Sequence, residues 1–402
     1  MKRLTKMIGM PIWTRELVIL ALGVFFLRFG EGVVGGARMN FFIDTLGLTD
    51  GQVMWLEGMR EVPGLALMFI AALMMHLPLS WRGTAAVLLI GVGYALYAVV
   101  QSYTALLVVA VVASLGFHLW MPLQPALGMA MVRKDMSGRV LGSLASVGAL
   151  ASIVGMGAIA LVSGIMEAWS LRLYYVAGGL IIVIAAVLML RLPKDIGTSG
   201  AKQPRMLIKS RYWLYYVLTF FEGARKQVLA SFGALVLVKY YDLRVWQIST
   251  LLLVGAVINF LIAPLMGYLL DHFGERRVMP LSYTGLALCC LGFAFVPNVW
   301  LLIGFLILIR ILSILNIGLS SYVNRIAPQE ELTPTLSAGV SINHVTSVAM
   351  PLIVGALLEL PQINYEQIFI GTAILIGLSV PFTLAMRTKA TPALSTQPVP
   401  AE

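Results

Sequence analysis

Six charged residues sit where charge is expensive. Arg28 and Glu31 lie in the middle of an apolar run, Leu27-Arg28-Phe29-Gly30-Glu31-Gly32; Glu222, Arg225 and Lys226 lie in the middle of another, Phe221-Glu222-Gly223-Ala224-Arg225-Lys226; and Arg310 lies in a third. Each run is long enough to cross a bilayer, and a charge near the centre of such a run costs roughly 2.5–3.5 kcal/mol or more, so it faces a protein interior or a water-filled cavity. A guanidinium there offers a planar fork of donors that matches a carboxylate or phosphate. A carboxylate there has a charge state set by burial and by any neighbouring Arg, which makes Glu31 and Glu222 the candidates for coupling to protons. The deep cations Arg28, Arg225, Lys226 and Arg310 outnumber these two acids, and an unpaired buried cation is costly. An anionic or zwitterionic solute would complete the set. His118 and Gln124, in the fourth apolar run, are the remaining polar candidates for holding it. A blander reading stays open: Arg28–Glu31, Glu57 with Arg60 and Glu61, and Glu222 with Arg225 and Lys226 are spaced by three or four residues and can neutralise one another as ion pairs on one helix face.

The elements that must position these residues are membrane helices. Of 402 residues, 59% are apolar and 11% charged, with a mean hydropathy of +0.91; a soluble domain is nearer 45–50% apolar and about 25% charged. Runs of about 20 apolar residues recur twelve times, at 17–41, 52–75, 84–100, 103–131, 140–165, 171–190, 212–238, 245–270, 278–296, 299–323, 336–358 and 367–386. The expected fold is therefore an all-α integral membrane protein of twelve transmembrane helices. Drawn this way, the third, ninth and twelfth helices carry no charge, whereas the first, seventh and tenth carry the deep charges. The expected organisation is a first six-helix half at 1–192, a polar linker at 193–210, a second half at 211–388 and a disordered tail at 389–402. The adjacent Cys289 and Cys290 and the four scattered histidines have no disulfide or metal-ligand spacing. No phosphate-binding loop, catalytic set or cofactor motif is present, so an enzyme and a nucleotide-driven pump are not expected.

The net charge of +10 is a matter of topology. With the N-terminus inside, roughly nineteen loop Lys and Arg residues fall on one side, and Arg172, Lys239 and Arg244 on the other. This bias predicts cytoplasmic termini in a bacterial plasma or inner membrane and removes the case for a nucleic-acid partner. An offset of about 195 residues relates Leu48-Thr49-Asp50-Gly51-Gln52 to Leu243-Arg244-Val245-Trp246-Gln247 and Arg82 to Arg277, and a shift of about one helical turn relates Glu31-Gly32 to Glu222-Gly223. Two pseudo-symmetric six-helix halves are expected.

Gly267-Tyr-Leu-Leu-Asp271-His-Phe-Gly274-Glu-Arg276-Arg277, which follows the eighth run, resembles the G-x-L-x-D-x-x-G-x-R/K signature of the major facilitator superfamily in its second-half position. The first-half loop, His76-Leu-Pro-Leu-Ser-Trp81-Arg82-Gly83, lacks the Asp and the leading Gly and keeps Arg82. The Gly-Pro signature of antiporters is incomplete on the fifth helix, where Gly148, Gly155 and Gly157 stand without a proline. The resemblance implies two halves that rock about a central site lined by helices 1, 4, 7 and 10, with the charge placement just described in agreement. It implies that Gly267, Asp271, Gly274, Arg277 and Arg82 serve cytoplasmic gating, and that the chain is a monomer. Glu57, Arg60 and Glu61, nearer the outer end of helix 2, are candidates for an outer gate. The function expected is secondary active transport of a small anionic or amphipathic organic solute, proton-coupled and leaning to efflux. The alternatives are an uptake permease for an organic anion and a lipid or lysolipid transporter on the same fold.

Overall fold

The computed structural model describes residues 13–74, 76–132, 136–166, 169–196 and 208–386. Most of the expected linker, the tail at 389–402 and the basic residues Lys2, Arg3, Lys6, Arg133, Lys134, Lys202, Arg205, Arg387 and Lys389 lie outside the described residues. Among the described residues the chain is helical throughout and forms twelve spans: α1 Arg15–Asn40, running on through a π-turn at Phe41–Thr45; α2 Asp50–Leu73; α3 Leu79–Tyr97; α4 Tyr103–Ala130; α5 Ser137–Ile165; α6 Leu171–Met189; α7 Trp213–Gln227, continued past a π-turn at Val228–Phe232 as Gly233–Tyr241; α8 Val245–Phe273; α9 Glu275–Phe295; α10 Val299–Ser313, continued past a 3₁₀ turn at Ile314–Asn316 as Ile317–Ile326; α11 Gln329–Leu358; and α12 Tyr365–Leu384. Ten of the twelve are long and apolar enough to cross a membrane. The other two are α2, which carries Asp50, Glu57, Arg60 and Glu61, and the interrupted α7. Seven of the helices, α3, α9 and α12 among them, start earlier than their apolar runs, so Arg82, Glu275–Arg277 and Glu366 fall in the first turns of α3, α9 and α12. Backbone hydrogen bonding carries these helices past the edges of their apolar stretches.

The chain divides into two compact units. Unit 1 is 1–201 with 238–257, and unit 2 is 202–237 with 258–402. In unit 1, α1 packs on α5 and α6, and α3 packs on α4 and α6. In unit 2, α7 packs on α11 and α12, and α9 packs on α10 and α12. The same helix order with the same packing partners in each unit is what an internal repeat produces. Small residues set these approaches, as they do wherever lipid supplies no hydrophobic drive between helices. A Cβ at Gly30 would lie 2.6 Å from the Gly178 carbonyl oxygen on α6, and one at Gly32 would lie 2.7 Å from the Ser152 carbonyl oxygen on α5.

Arg172 has a structural task in unit 1. Its guanidinium donates to the Ala98 and Val100 carbonyl oxygens at 2.6 and 2.9 Å and lies over the Phe41 ring. It thereby satisfies carbonyls left open at the end of α3. A strap of chain, 238–257, also belongs to unit 1. Asp50 accepts from Lys239 Nζ and from the Tyr240 hydroxyl, each at 2.6 Å. Asn40 Nδ2 donates to the Leu243 carbonyl at 2.9 Å, and Val245 is buried with Val33, Ala37, Ile159 and Tyr174.

Candidate functional site

Unit 1 gathers most of its deep charges into ion pairs. Arg28 Nη1 lies 2.8 Å from Glu31 Oε2, one helical turn away on α1. On α2, Arg60 Nη1 lies 2.9 Å from Glu57 Oε2, and Arg38 of α1 approaches the other Glu57 oxygen at 3.7 Å. Glu57 is 3% exposed, so it sits between two guanidiniums in the interior. Glu61 Oε2 lies 3.8 Å from His118 Nε2 on α4. His118 is oriented by Ser114, whose carbonyl oxygen lies 2.9 Å from Nδ1 and whose hydroxyl donates to the Arg60 carbonyl oxygen. Three arginines and three glutamates thus share this region, and the charge count closes. The structure places Glu57, Arg60 and Glu61 in this buried cluster. Gln124, half-buried on the same helix as His118, makes no hydrogen bond to a described residue.

Unit 2 is built differently, although its sequence reads alike. Glu222 and Arg225 stand three residues apart on α7, as Arg28 and Glu31 do on α1, and no ion pair joins them. Glu222 instead accepts from two amides, Asn316 Nδ2 at 3.4 Å and Asn343 Nδ2. Asn343 lies on α11, which approaches α7 so closely that a Cβ at Gly223 would overlap Thr346 and the Asn343 backbone. Asn316 lies in the 3₁₀ interruption of α10, where the tightened turn carries its amide toward α7. Arg225, left without the carboxylate, stacks its guanidinium 3.7 Å from the centroid of the Tyr283 ring and donates from Nη2 to Asn316 Oδ1 at 3.1 Å. It is 1% exposed, and Nη1 has no hydrogen-bond partner among the described residues.

A cavity of about 230 Å³ opens against these groups, lined by Glu222, Arg225, Lys226, Asn259, Arg310 and Asn316 among others. Asn259 Oδ1 is likewise buried with no partner among the described residues. Three cations and one carboxylate therefore line a space that also presents an unused donor and an unused acceptor. Such a space can hold a small molecule carrying an anionic group for Arg225 and an N–H or O–H for Asn259. Arg225, Lys226, Arg310 and Glu222 were legible in the sequence as charges in apolar runs. Asn259, Asn316, Asn343 and Tyr283 were not singled out, although an amide inside a spanning run is the same kind of signal in weaker form.

The signature segment lies at the junction of α8 and α9. Gly274 has φ +78°, a left-handed conformation that glycine adopts without steric cost. Asp271 and Arg277 are exposed, and Gly267 is half-buried in α8. The interior contact of this junction comes from a residue between them: Glu275, buried, accepts from Ser321 Oγ at 2.7 Å and from Arg325 Nη2 at 2.9 Å. That contact fastens the start of α9 to the last turns of α10. Arg82, the first-half remnant, is half-buried on α3, and its Nε has no partner among the described residues.

Known proteins share this architecture. A variant of the nucleoside transporter NupG is 16% identical, with a TM-score of 0.76 over 92% of this chain and all (100%) of that one. A bacterial homologue of the human lysosomal transporter Spinster, inward-facing and occupied, is 14% identical, with a TM-score of 0.74 over 94% of this chain and 98% of that one. The same homologue in an unoccupied state is 13% identical, with a TM-score of 0.74 over 96% of this chain and 100% of that one. At these identities the likeness concerns the fold. No curated protein matches the sequence. Residues 215–401 match the family described as Major Facilitator Superfamily. The match covers the part of the chain that holds the junction signature and the unit 2 cavity. The chain is a multi-pass membrane protein by its helices, its second half matches the Major Facilitator Superfamily, and its fold is that of the transporters just named.

Proposed function

We propose that this protein is a transporter of the major facilitator superfamily, a proton-coupled secondary carrier of a small organic solute with a carboxylate or comparable anionic group, working by alternating access. Both termini are cytoplasmic in a bacterial plasma membrane, and export is the favoured direction. The observation that carries the substrate class is Arg225, a guanidinium buried in the lining of a cavity, diverted from Glu222 by two asparagines and holding one donor nitrogen unused. Binding energy of a charge-assisted hydrogen bond, about 1.5–3 kcal/mol, is available there to an anion. The proton-coupling role goes to Glu31: Arg28 is its sole hydrogen-bond partner among the described residues, and the Arg28 side chain is 33% exposed, so water and a proton can reach the pair.

The test is thermal stabilisation of the purified full chain across a solute library, since a ligand that binds the folded state raises its apparent stability. Organic anions should stabilise it. Arg225→Gln and Asn259→Ala should each weaken that stabilisation, the former by about ten- to a hundredfold in affinity. Anion binding of full strength in both variants would sink the assignment. For coupling, Glu31→Gln should transport without dependence on a pH gradient; retained dependence removes Glu31 from the role.

The amides of the same cavity favour one second reading. Asn259, Asn316 and Glu222 are groups that hold sugar hydroxyls, and NupG is a nucleoside transporter. Stabilisation by nucleosides, indifferent to Arg225→Gln and lost in Asn259→Ala, would select it.

A further inference from the structure

A second cavity, of about 400 Å³, lies wholly within unit 1, at the end that carries the loops after α1, α5 and α7. Its volume is in the range of small-molecule sites. Trp169, Tyr174 and Trp246 are among its aromatic and apolar lining, and its polar lining is Asn40, Asp44, Thr45, Ser163, Ser170 and Arg244. Asn40 stands at the start of the π-turn that ends α1, an irregularity that recurs at functional sites.

The hydrogen bonds of Asn40, Asp44 and Ser163 decide what fits beside these three. Asn40 is 2% exposed. It uses Nδ2 twice, toward Asp44 Oδ2 and toward the Leu243 carbonyl, each at 2.9 Å. These two acceptors fix the orientation of the amide, because the opposite orientation would set its oxygen against a carboxylate and a carbonyl. Asn40 Oδ1 is therefore an acceptor, buried and with no partner among the described residues. The Ser163 hydroxyl spends its hydrogen on the Ile159 carbonyl at 2.6 Å, which leaves lone pairs. Asp44 has only acceptor oxygens. These three side chains present acceptors to the cavity and no hydrogen. Beside them, the faces of tryptophan and tyrosine attract a cation.

We propose that unit 1 carries a second ligand site, separate from the unit 2 cavity, that takes a small organic cation: a primary or secondary ammonium on an aromatic or apolar body. The ammonium hydrogens go to Asn40 Oδ1 and the Asp44 carboxylate, and the body lies against Trp169 and Trp246. A ligand so placed touches both the end of α1 and the first turn of α8.

The test uses phenethylamine, its trimethylated quaternary counterpart and 3-phenylpropionate, titrated against the full chain in micelles by calorimetry. Phenethylamine should bind saturably at millimolar concentration or below. The quaternary compound, which has no N–H, should bind about tenfold more weakly, and phenylpropionate should not compete. Asp44→Asn and Trp246→Ala, both at partly exposed positions, should each weaken phenethylamine by about tenfold or more, whereas Arg225→Gln should leave it unchanged. The absence of saturable phenethylamine binding overturns the proposal. So does binding that both unit 1 variants leave intact, or binding lost in Arg225→Gln alone, which would place the amine in unit 2. Failure of the anion reading leaves this outcome untouched, because the two sites answer to different variants and to ligands of opposite charge.

Discussion

At the scale of single residues, three pairs with the same spacing have three different fates. Glu57 is enclosed by Arg60 and Arg38; Glu31 meets Arg28 alone; Glu222 and Arg225 are parted by asparagines from α10 and α11. The energetics differ accordingly. Removing one partner of a buried pair leaves a charge uncompensated and costs about 3–5 kcal/mol, whereas a partly exposed pair is worth about 0–1 kcal/mol. Glu57→Gln should therefore lower the melting temperature of the purified protein markedly, and the double replacement Glu57→Leu with Arg60→Leu should recover much of the loss. Glu31→Gln should scarcely move it. Equal shifts for Glu57→Gln and Glu31→Gln would show that the enclosure of Glu57 does not govern its worth. The positions of all three pairs are legible in the sequence, because charge is rare in an apolar run. Their pairing is not legible: a spacing of three residues brings two side chains within reach on any helix, and what then happens depends on Asn316 and Asn343, about 90 and 120 residues away along the chain.

At the scale of elements, run length found all twelve helices and composition could not find where they break. The π-turn in α7 and the 3₁₀ turn in α10 occur in sequences as apolar as their surroundings, since such breaks are set by packing and not by propensity. The base of unit 2 shows a tie of the same long-range kind. Glu331, in the first turn of α11, accepts from Lys209 Nζ at 2.9 Å, from Arg211 and from the Tyr212 hydroxyl at 2.9 Å, fastening the chain that leads into α7. The Arg211 and Lys209 hydrogen bonds hold the Glu331 carboxyl down at about 2, from an ordinary 4.5. A carboxylate lowered on folding contributes stability that is present above its unfolded value and is lost as the pH falls toward its folded one. The tie should hold at neutral pH and weaken between about pH 4.5 and about pH 2. Because its cations are about half exposed, salt should weaken it as well. Proteolysis of the segment before α7 should accelerate on acidification in the wild type, and should be fast and nearly independent of pH in Glu331→Gln. A wild-type rate that is flat over that window would mean that the carboxylate does not hold the segment.

At the scale of the molecule, the strap 238–257 belongs to unit 1 by packing although it follows the start of unit 2 in sequence. A carrier that exposes its site to alternate sides must part some contacts in each cycle. In unit 1 those of the strap include polar ties at its start, ahead of a buried apolar stretch. Asp50 holds Lys239 and Tyr240, Asn40 holds the Leu243 carbonyl, and Val245 is buried among Val33, Ala37, Ile159 and Tyr174, as Val238, Leu243, Ile248 and Leu251 of the strap are also buried. If the strap leaves unit 1 during transport, a cysteine placed at Val245 becomes accessible only while it is away. Asp50→Asn keeps the shape of that side chain and removes the charge from its contact with Lys239, so the released population should rise by about tenfold. The rate at which an impermeant maleimide labels Val245→Cys should rise by the same factor in the double variant, and should rise with salt in the Val245→Cys protein. A transported solute should change that rate as it shifts the population between states, in proportion to its differing affinity for them. Labelling that responds neither to Asp50→Asn nor to solute would mean that the strap is a fixed part of unit 1. The moving contacts would then have to be sought among the junction residues Glu275, Ser321 and Arg325.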